Sequence, residues 1–568
     1  MRLLTLLAGL VAIVTLTAAT PAPDPVGVWH GVMTLPGRGD FHMVVKITQT
    51  GGTLAGTVES PDVTSQSQTL TNIAVSGDTL TFQAPVINAR YAGKWNAAEG
   101  RWDGQWTQGI SLALDLEKGP LPPRPTVAGL DGDWDGTLAG GPVTLRLVLH
   151  VRTTVEAGTV ATLDSVDQLA NGIAISSISR NGEEVSFESR TIGGRFRGTL
   201  SADGKTLTGA WSQGAPSPLS FTRRDGGAAF AGPPRRPQTP KAPYPYLAQD
   251  VAFDNPKAEG VRLAGTLTLP QGTGPFPVVV LITGSGPQDR DETLFGHKPF
   301  AVIADALTRR GIAVLRYDDR GVGRSTGEYS GSTAGDAATD VEAAIAYLKT
   351  RPEIDQARIG LLGHSEGGII APLVASRNTD VAFLVLLAAP GVRGDELLLA
   401  QETLIEASMG APAEVSAARR ANMRRAMDAA MAAPTPEAAS AAVRALGDQL
   451  SAYSIQEREL LARQLGDPAV LYLLRYDPAP PLRLVKCPVL AINGSKDVQV
   501  PAAIDLPGLR AGLAGNPAAR IEELPGLNHL FQTAQTGALA EYPQIEETMS
   551  PAALTLIGDW VLAVTKRP

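Results

Sequence analysis

Two hydrophobic rhythms divide this chain. Up to about residue 223, apolar and polar residues alternate in short runs, as in Met43-Val44-Val45-Lys46-Ile47-Thr48 and Thr79-Leu80-Thr81-Phe82. Period-two runs predict half-buried strands. Ser76-Gly77-Asp78 and Arg180-Asn181-Gly182 supply hairpin turns between them. Beyond residue 247 the rhythm changes to continuous apolar runs at 261–269, 277–282, 312–317, 359–362, 381–388 and 488–492, with a further extended stretch at 519–524. Runs this short and this apolar predict strands buried on both faces. Residues 334–350 carry apolar positions at helical spacing. Strands alternating with helices predict a doubly wound, mostly parallel sheet. From about 393 to 483 the composition turns Ala-, Arg-, Glu- and Leu-rich with no strand pattern. An insertion of that kind between two sheet strands predicts a helical cap over a site. The Arg419-Arg420 and Arg424-Arg425 pairs within it read as a solvated helix face.

The first half repeats itself. Trp29 and Trp134 stand 105 residues apart, and so do Gly77 and Gly182, Phe82 and Phe187, Tyr91 and Phe196, Trp106 and Trp211, and Gln108 and Gln213. One offset without an insertion predicts duplication. The expected units are two all-β modules, 26–118 and 131–223, each a small barrel or lipocalin-like sandwich. Their repeated Trp, Phe and Gly residues read as core and turn positions, and they bring no catalytic constellation. Residues 226–246 carry six prolines between Pro233 and Pro245 and read as a semi-rigid linker, with Arg235 and Arg236 as solvated charge. The expected doubly wound α/β domain with its helical cap runs from 247 to 568.

At the other end, Met1-Arg2, an apolar stretch over residues 3–16 and Thr17-Ala18-Ala19 read as a cleaved signal peptide, 1–19. That predicts a periplasmic or secreted protein with no integral membrane span after processing. A net charge of −8 argues against nucleic acid as a partner. Cys487 is the one cysteine, so no disulfide framework is expected, and no metal-binding motif appears. No cofactor is called for, and the oligomeric state is left open.

The chemistry centres on Gly363-His364-Ser365-Glu366-Gly367. A G-x-S-x-G between an apolar strand and a helix reads as a nucleophile elbow. A serine hydroxyl needs a base beside it. Of six histidines, only His529 lies downstream, on a loop after a late strand. The order Ser, Asp/Glu, His then asks for a carboxylate after the preceding strand, where Asn493-Gly494-Ser495-Lys496-Asp497 stands. Asp497 is the candidate orienting carboxylate, with Asp505 and Glu522 as alternatives. An oxyanion hole needs two backbone N–H groups. One is expected from Glu366, the other from Ser285 in the glycine turn Thr283-Gly284-Ser285-Gly286-Pro287. The side chains of His364 and Glu366 are expected to point away from the serine and either to support the site from behind or to pack.

These residues carry a resemblance. Residues 244–568 resemble the alpha/beta hydrolase superfamily and, more narrowly, the EstD-type bacterial carboxylesterases, near the dienelactone hydrolase and S9/S33 serine peptidase branches. The resemblance rests on Pro243-Tyr244-Pro245-Tyr246, on 281–291, on Gly296-His297-Lys298-Pro299-Phe300, on Arg316-Tyr317-Asp318-Asp319-Arg320-Gly321 and on the elbow. It implies a serine esterase with Ser365, Asp497 and His529 as its triad, acting on a small-molecule ester. The dienelactone hydrolase branch has a cysteine nucleophile, which this chain lacks at the elbow. A serine peptidase or aminopeptidase of the same fold is the alternative. A binding protein that uses the β modules is the alternative of another class.

Overall fold

The structure is a computed structural model and describes residues 23–35, 39–63, 67–108, 110–138, 145–168, 170–213, 216–225, 235–408 and 411–566. The signal-peptide reading of 1–19 and the linker's first part, 226–234, lie outside the described residues. The chain divides into two compact units, with the break near residue 231.

The N-terminal unit holds two nine-stranded antiparallel sheets. The first closes on itself, because Ala89–Asn96 pairs with Arg101–Gln108, and Leu116–Lys118 bridges Arg101–Gln108 to Gly27–Leu35. The second is open between Ala170–Ile175 and Ser177–Asn181. Positions 105 apart do the same work in both sheets. Phe82 stacks on Tyr91 at 4.8 Å, and Phe187 stacks on Phe196 at 4.8 Å. The Trp29 indole N–H donates to Pro25 O at 2.7 Å, and that of Trp134 donates to Leu130 O at 2.8 Å. All four aromatic rings and both tryptophans are buried. They are core positions, as the alternation predicts.

The C-terminal unit is built on an eight-stranded sheet. Its strands are β1 (Leu247–Asp254), β2 (Arg262–Leu269), β3 (Phe276–Ile282), β4 (Ala313–Tyr317), β5 (Ile354–His364), β6 (Val381–Leu387), β7 (Val489–Gly494) and β8 (Ala519–Leu524). The spatial order is β1-β2-β4-β3-β5-β6-β7-β8. β1 and β2 run antiparallel, and from β4 onward every pairing is parallel. The apolar runs are what a sheet covered on both faces requires. One face packs under α2 (Ala334–Leu348), α3 (Gly367–Ala375) and α10 (Ala502–Gly512) through Val341, Ile345, Ile369, Leu506 and Leu509. The other packs under α1 (Pro299–Thr308) and α11 (Pro551–Thr565) through Phe300, Ile303, Ile557 and Trp560.

Six helices separate β6 from β7: α4 (Gly394–Ser408), α5 (Ala413–Ala432), α6 (Pro436–Ala445), α7 (Ile455–Leu465), α8 (Pro468–Arg475) and α9 (Ala479–Leu484). They have a core of their own around Met427, Val443, Leu461 and Leu471. Of the four arginines of α5, Arg420 and Arg425 are exposed, as a solvated face requires, while Arg419 and Arg424 are half-buried. Arg419 lies 4.4 Å over the Tyr453 ring, and Arg424 reaches Asp395 at 2.6 Å. Arg420 donates to Thr403, and Arg425 to the Gln449 carbonyl. They lock α5 to its neighbours. Among the described residues no helix is long and apolar enough to cross a membrane.

Candidate active site

β5 ends at His364 and α3 begins at Gly367, so Ser365 sits on the turn between strand and helix. Its φ is +52°. Left-handed backbone costs a residue with a Cβ about 1–2 kcal/mol, so the surroundings must impose it. The Ser365 N–H donates to Leu387 O on β6 at 2.9 Å, and Gly368 N–H donates to Ser365 O at 2.8 Å. Glycine is obligatory on both sides. A Cβ at Gly363 would stand 2.0 Å from Gly367 O, and one at Gly367 would stand 2.2 Å from Ile282 O. Glu292, Phe295, Ala388 and Phe531 also have positive φ. Glu292 and Ala388 lie around this turn, and Phe531 lies two residues past His529.

Asp497 lies three residues beyond β7, and His529 five residues beyond β8. Both are buried. His529 Nδ1–H donates to Asp497 Oδ2 at 2.8 Å. The other carboxylate oxygen accepts the Gln499 and Val500 amides at 2.8 and 2.9 Å, which fixes the carboxylate plane. The two alternatives face elsewhere. Asp505 accepts the Gly391 N–H at 2.8 Å, and burial pushes its carboxyl up to about 7. Glu522 pairs with Arg520 on β8 at 2.5 Å. Cys487 is half-buried, and burial pushes its thiol up to about 11, so it stays protonated.

Two bonds flank Ser285. The preceding amide, Gly284 N–H, donates to Glu292 Oε1 at 2.7 Å, and the following one, Gly286 N–H, donates to the Tyr329 hydroxyl at 2.9 Å. The loop that would supply the second oxyanion donor is therefore held on both sides of Ser285. Farther along, Asp319 accepts Thr283 Oγ1–H at 2.8 Å and Gln288 N–H at 3.0 Å. Burial pushes its carboxyl up to about 7. Burial likewise raises the Glu366 carboxyl, with the Ser285 hydroxyl opposing the rise. Tyr472 of α8 lies within electrostatic reach of Glu366, so the inserted helices approach the elbow.

Of the two readings of His364, supporting the site from behind or merely packing, its contacts favour the first. Its ring lies 4.7 Å from that of His529, and its Nε2 is 3.0 Å from His529 O. Nδ1 is 2.9 Å from Glu292 Oε1. Glu292 has no sequence signal of its own, because it meets His364 across 72 residues. The loop after His529 is also pinned from a distance. Buried His297 bonds Thr548 Oγ1 at 2.9 Å and Tyr542 O at 3.1 Å. Arg236 donates to Phe295 O at 2.9 Å, Pro543 O at 2.6 Å and Ile545 O at 3.0 Å. Arg236 is thus a clamp on the C-terminal unit and not the solvated linker charge its proline-rich setting predicts. Among the described residues no three His, Cys, Asp or Glu side chains gather as a metal site.

Residues 259–506 match the family model described as X-Pro dipeptidyl-peptidase (S15 family). Esterase EstD of Thermotoga maritima is 30% identical over 271 residues, which is 47% of this chain and 58% of that protein. Acyl-coenzyme A thioesterase 2, mitochondrial, of Mus musculus is 30% identical over 159 residues, 27% of this chain and 31% of that protein. The chain therefore spans little more than half of the first relative and about a third of the second. Among solved structures, the Pyrococcus furiosus esterase Pf2001 covers 59% of this chain and 98% of its own, with 17% identity and a TM-score of 0.35.

Proposed function

We propose that this chain, an alpha/beta hydrolase by its strand order, elbow and esterase relatives, is a serine carboxylesterase for small to medium acyl esters. The observation that carries the reading is the buried 2.8 Å bond from His529 to Asp497, on the loops after β8 and β7, with the His529 ring 4.7 Å from that of His364, which precedes an elbow serine at φ +52°. Ser365 attacks the ester carbonyl as His529 takes its proton. Asp497 holds the imidazole tautomer and stabilises the imidazolium. The Ser285 and Glu366 N–H groups receive the oxyanion. His529 then protonates the leaving alcohol, and water resolves the acyl-enzyme through the same base. Residues 1–19 as a secretion signal would carry the enzyme to the periplasm or beyond. The β modules, read as a duplication, are accessory and supply no acid, base or nucleophile.

The S15 match over 259–506 favours one second reading, a serine peptidase of the same fold. A panel of chromogenic esters and aminoacyl anilides on the purified protein decides between them. Fast turnover of p-nitrophenyl acetate or butyrate with slow anilide cleavage supports the esterase. The reverse order replaces it with the peptidase. Near-normal ester turnover in Ser365→Ala ends both.

A further inference from the structure

Beneath the elbow lies a second chain of polar groups that the mechanism above does not use. Glu292, in the loop between β3 and α1, is only 4% exposed and sits at φ +51°. Its Oε1 accepts from Gly284 N–H at 2.7 Å and faces His364 Nδ1 at 2.9 Å. The other ring nitrogen, Nε2, faces the His529 carbonyl oxygen at 3.0 Å. Carboxylate and carbonyl oxygens only accept. With Glu292 as a carboxylate both ring nitrogens donate, and His364 is then an imidazolium paired with it. Burial works against that charge, and Glu292, the His529 carbonyl and Asp497 outweigh it, so the imidazole is held above its ordinary range.

We propose that Glu292 is a positioning residue of the esterase reaction, tying the oxyanion loop at Gly284 to the backbone of His529 through the imidazolium of His364. The proposal rests on the serine hydrolase reading. One carboxylate oxygen then sets two halves of the site that lie far apart in sequence. The Gly284 bond fixes the peptide next to the Ser285 donor. The His364 bond fixes the residue that carries the base. The arrangement also sets charge. The groups facing the His364 ring are Glu292 from the β3–α1 loop, Asp497 from the loop after β7 and His529 from the loop after β8. An imidazolium whose ring lies 4.7 Å from that of His529 places positive charge beside the base, opposite Asp497.

Glu292→Gln tests this, because it keeps an acceptor for Gly284 N–H and removes the charge. Without its counter-ion a buried imidazole becomes neutral and can donate only one of its two bonds. For p-nitrophenyl butyrate, kcat should fall roughly tenfold to a hundredfold, as for a small misplacement of catalytic groups. KM should stay within about threefold. The acid limb of kcat/KM against pH should move to higher pH, since the cation beside His529 is gone. A merely structural role would not move that limb. In the wild type, 15N NMR of the imidazole should show both His364 nitrogens protonated at neutral pH. A folded Glu292→Gln protein with wild-type kcat and an unmoved limb overturns the proposal, and so does a neutral His364 in the wild type. If the variant does not fold, the wild-type imidazole spectrum decides alone. Ser365→Ala is assayed alongside. Activity there removes the hydrolase reading and this tie with it. An inactive Ser365→Ala beside a normal Glu292→Gln removes the tie alone.

Discussion

Asp497 and Asp505 show how one residue type is sorted by its surroundings. Asp497 has both oxygens engaged, one by His529 and one by the Gln499 and Val500 amides. Asp505 has one oxygen on Gly391 and the other buried with no partner among the described residues. Asp497→Asn should slow ester turnover by roughly 10³ to 10⁴ with little change in KM, because the imidazole loses its tautomer control. Asp505→Asn should leave kcat within about threefold. It should also raise Tm at pH 8 and not at pH 4. The sign follows from a carboxyl at about 7 in the folded chain against 3.8 unfolded. Such a group contributes most below the unfolded value, and the contribution is lost as pH rises through 7. His297 runs the opposite way. Burial first, then Arg236, lowers it from 6.5 to about 4. The wild type should lose stability as pH falls below 6.5, by roughly 3 kcal/mol once pH reaches about 4. Thermal unfolding of His297→Gln across that window should lack this component. The places of Ser365, Asp497 and His529 after β5, β7 and β8 were legible because each follows a readable strand in a fixed order. Glu292 and His364 were not, because their bond joins residues 72 apart and no local pattern marks it.

Most sheet strands were legible as apolar runs, and β8, which holds no buried residue, as an extended stretch. Every strand from β2 to β8 coincides with an apolar or extended run seen in the sequence. β1 was missed because it is an edge strand with only Phe253 buried, so its residues carry no apolar run. Helices α1, α10 and α11 were missed too, and α10 is broken in pattern by Pro507. The linker misled for another reason. Proline content predicts an extended chain, but it says nothing about where Arg236 points. Arg236 donates to three backbone carbonyls, and Gln238 accepts the Thr548 and Met549 amides. Charge-assisted bonds of this kind are worth about 1.5–3 kcal/mol each, and removing one partner strands the others. Arg236→Ala should lower the unfolding free energy of the C-terminal unit by roughly 2–3 kcal/mol in urea denaturation. A chain beginning at residue 243 should show at least that deficit against one beginning at 235. Equal stability of the two would show that the clamp contributes nothing.

At the scale of the whole molecule, the change from period-two to continuous apolar patterning marks the boundary between the two units, and each unit closes its own cores. The paired aromatic core positions at the 105-residue offset were readable, while which of the two sheets closes was not. The first sheet turns its corner within the single strand Gln68–Ser76, where Asn72 takes φ +52°. The second breaks at the corresponding corner, between Ala170–Ile175 and Ser177–Asn181. We propose no nucleophile in either sheet of the N-terminal unit, which leaves all covalent chemistry to the C-terminal unit and to one atom, Ser365 Oγ. The most direct test is to treat the full chain with a fluorophosphonate and map the product by peptide mass spectrometry. One adduct per chain is predicted, on the peptide holding Ser365. It should form in step with loss of p-nitrophenyl butyrate hydrolysis and be absent from Ser365→Ala. An adduct on another residue, or hydrolysis that survives full modification of Ser365, would contradict the account.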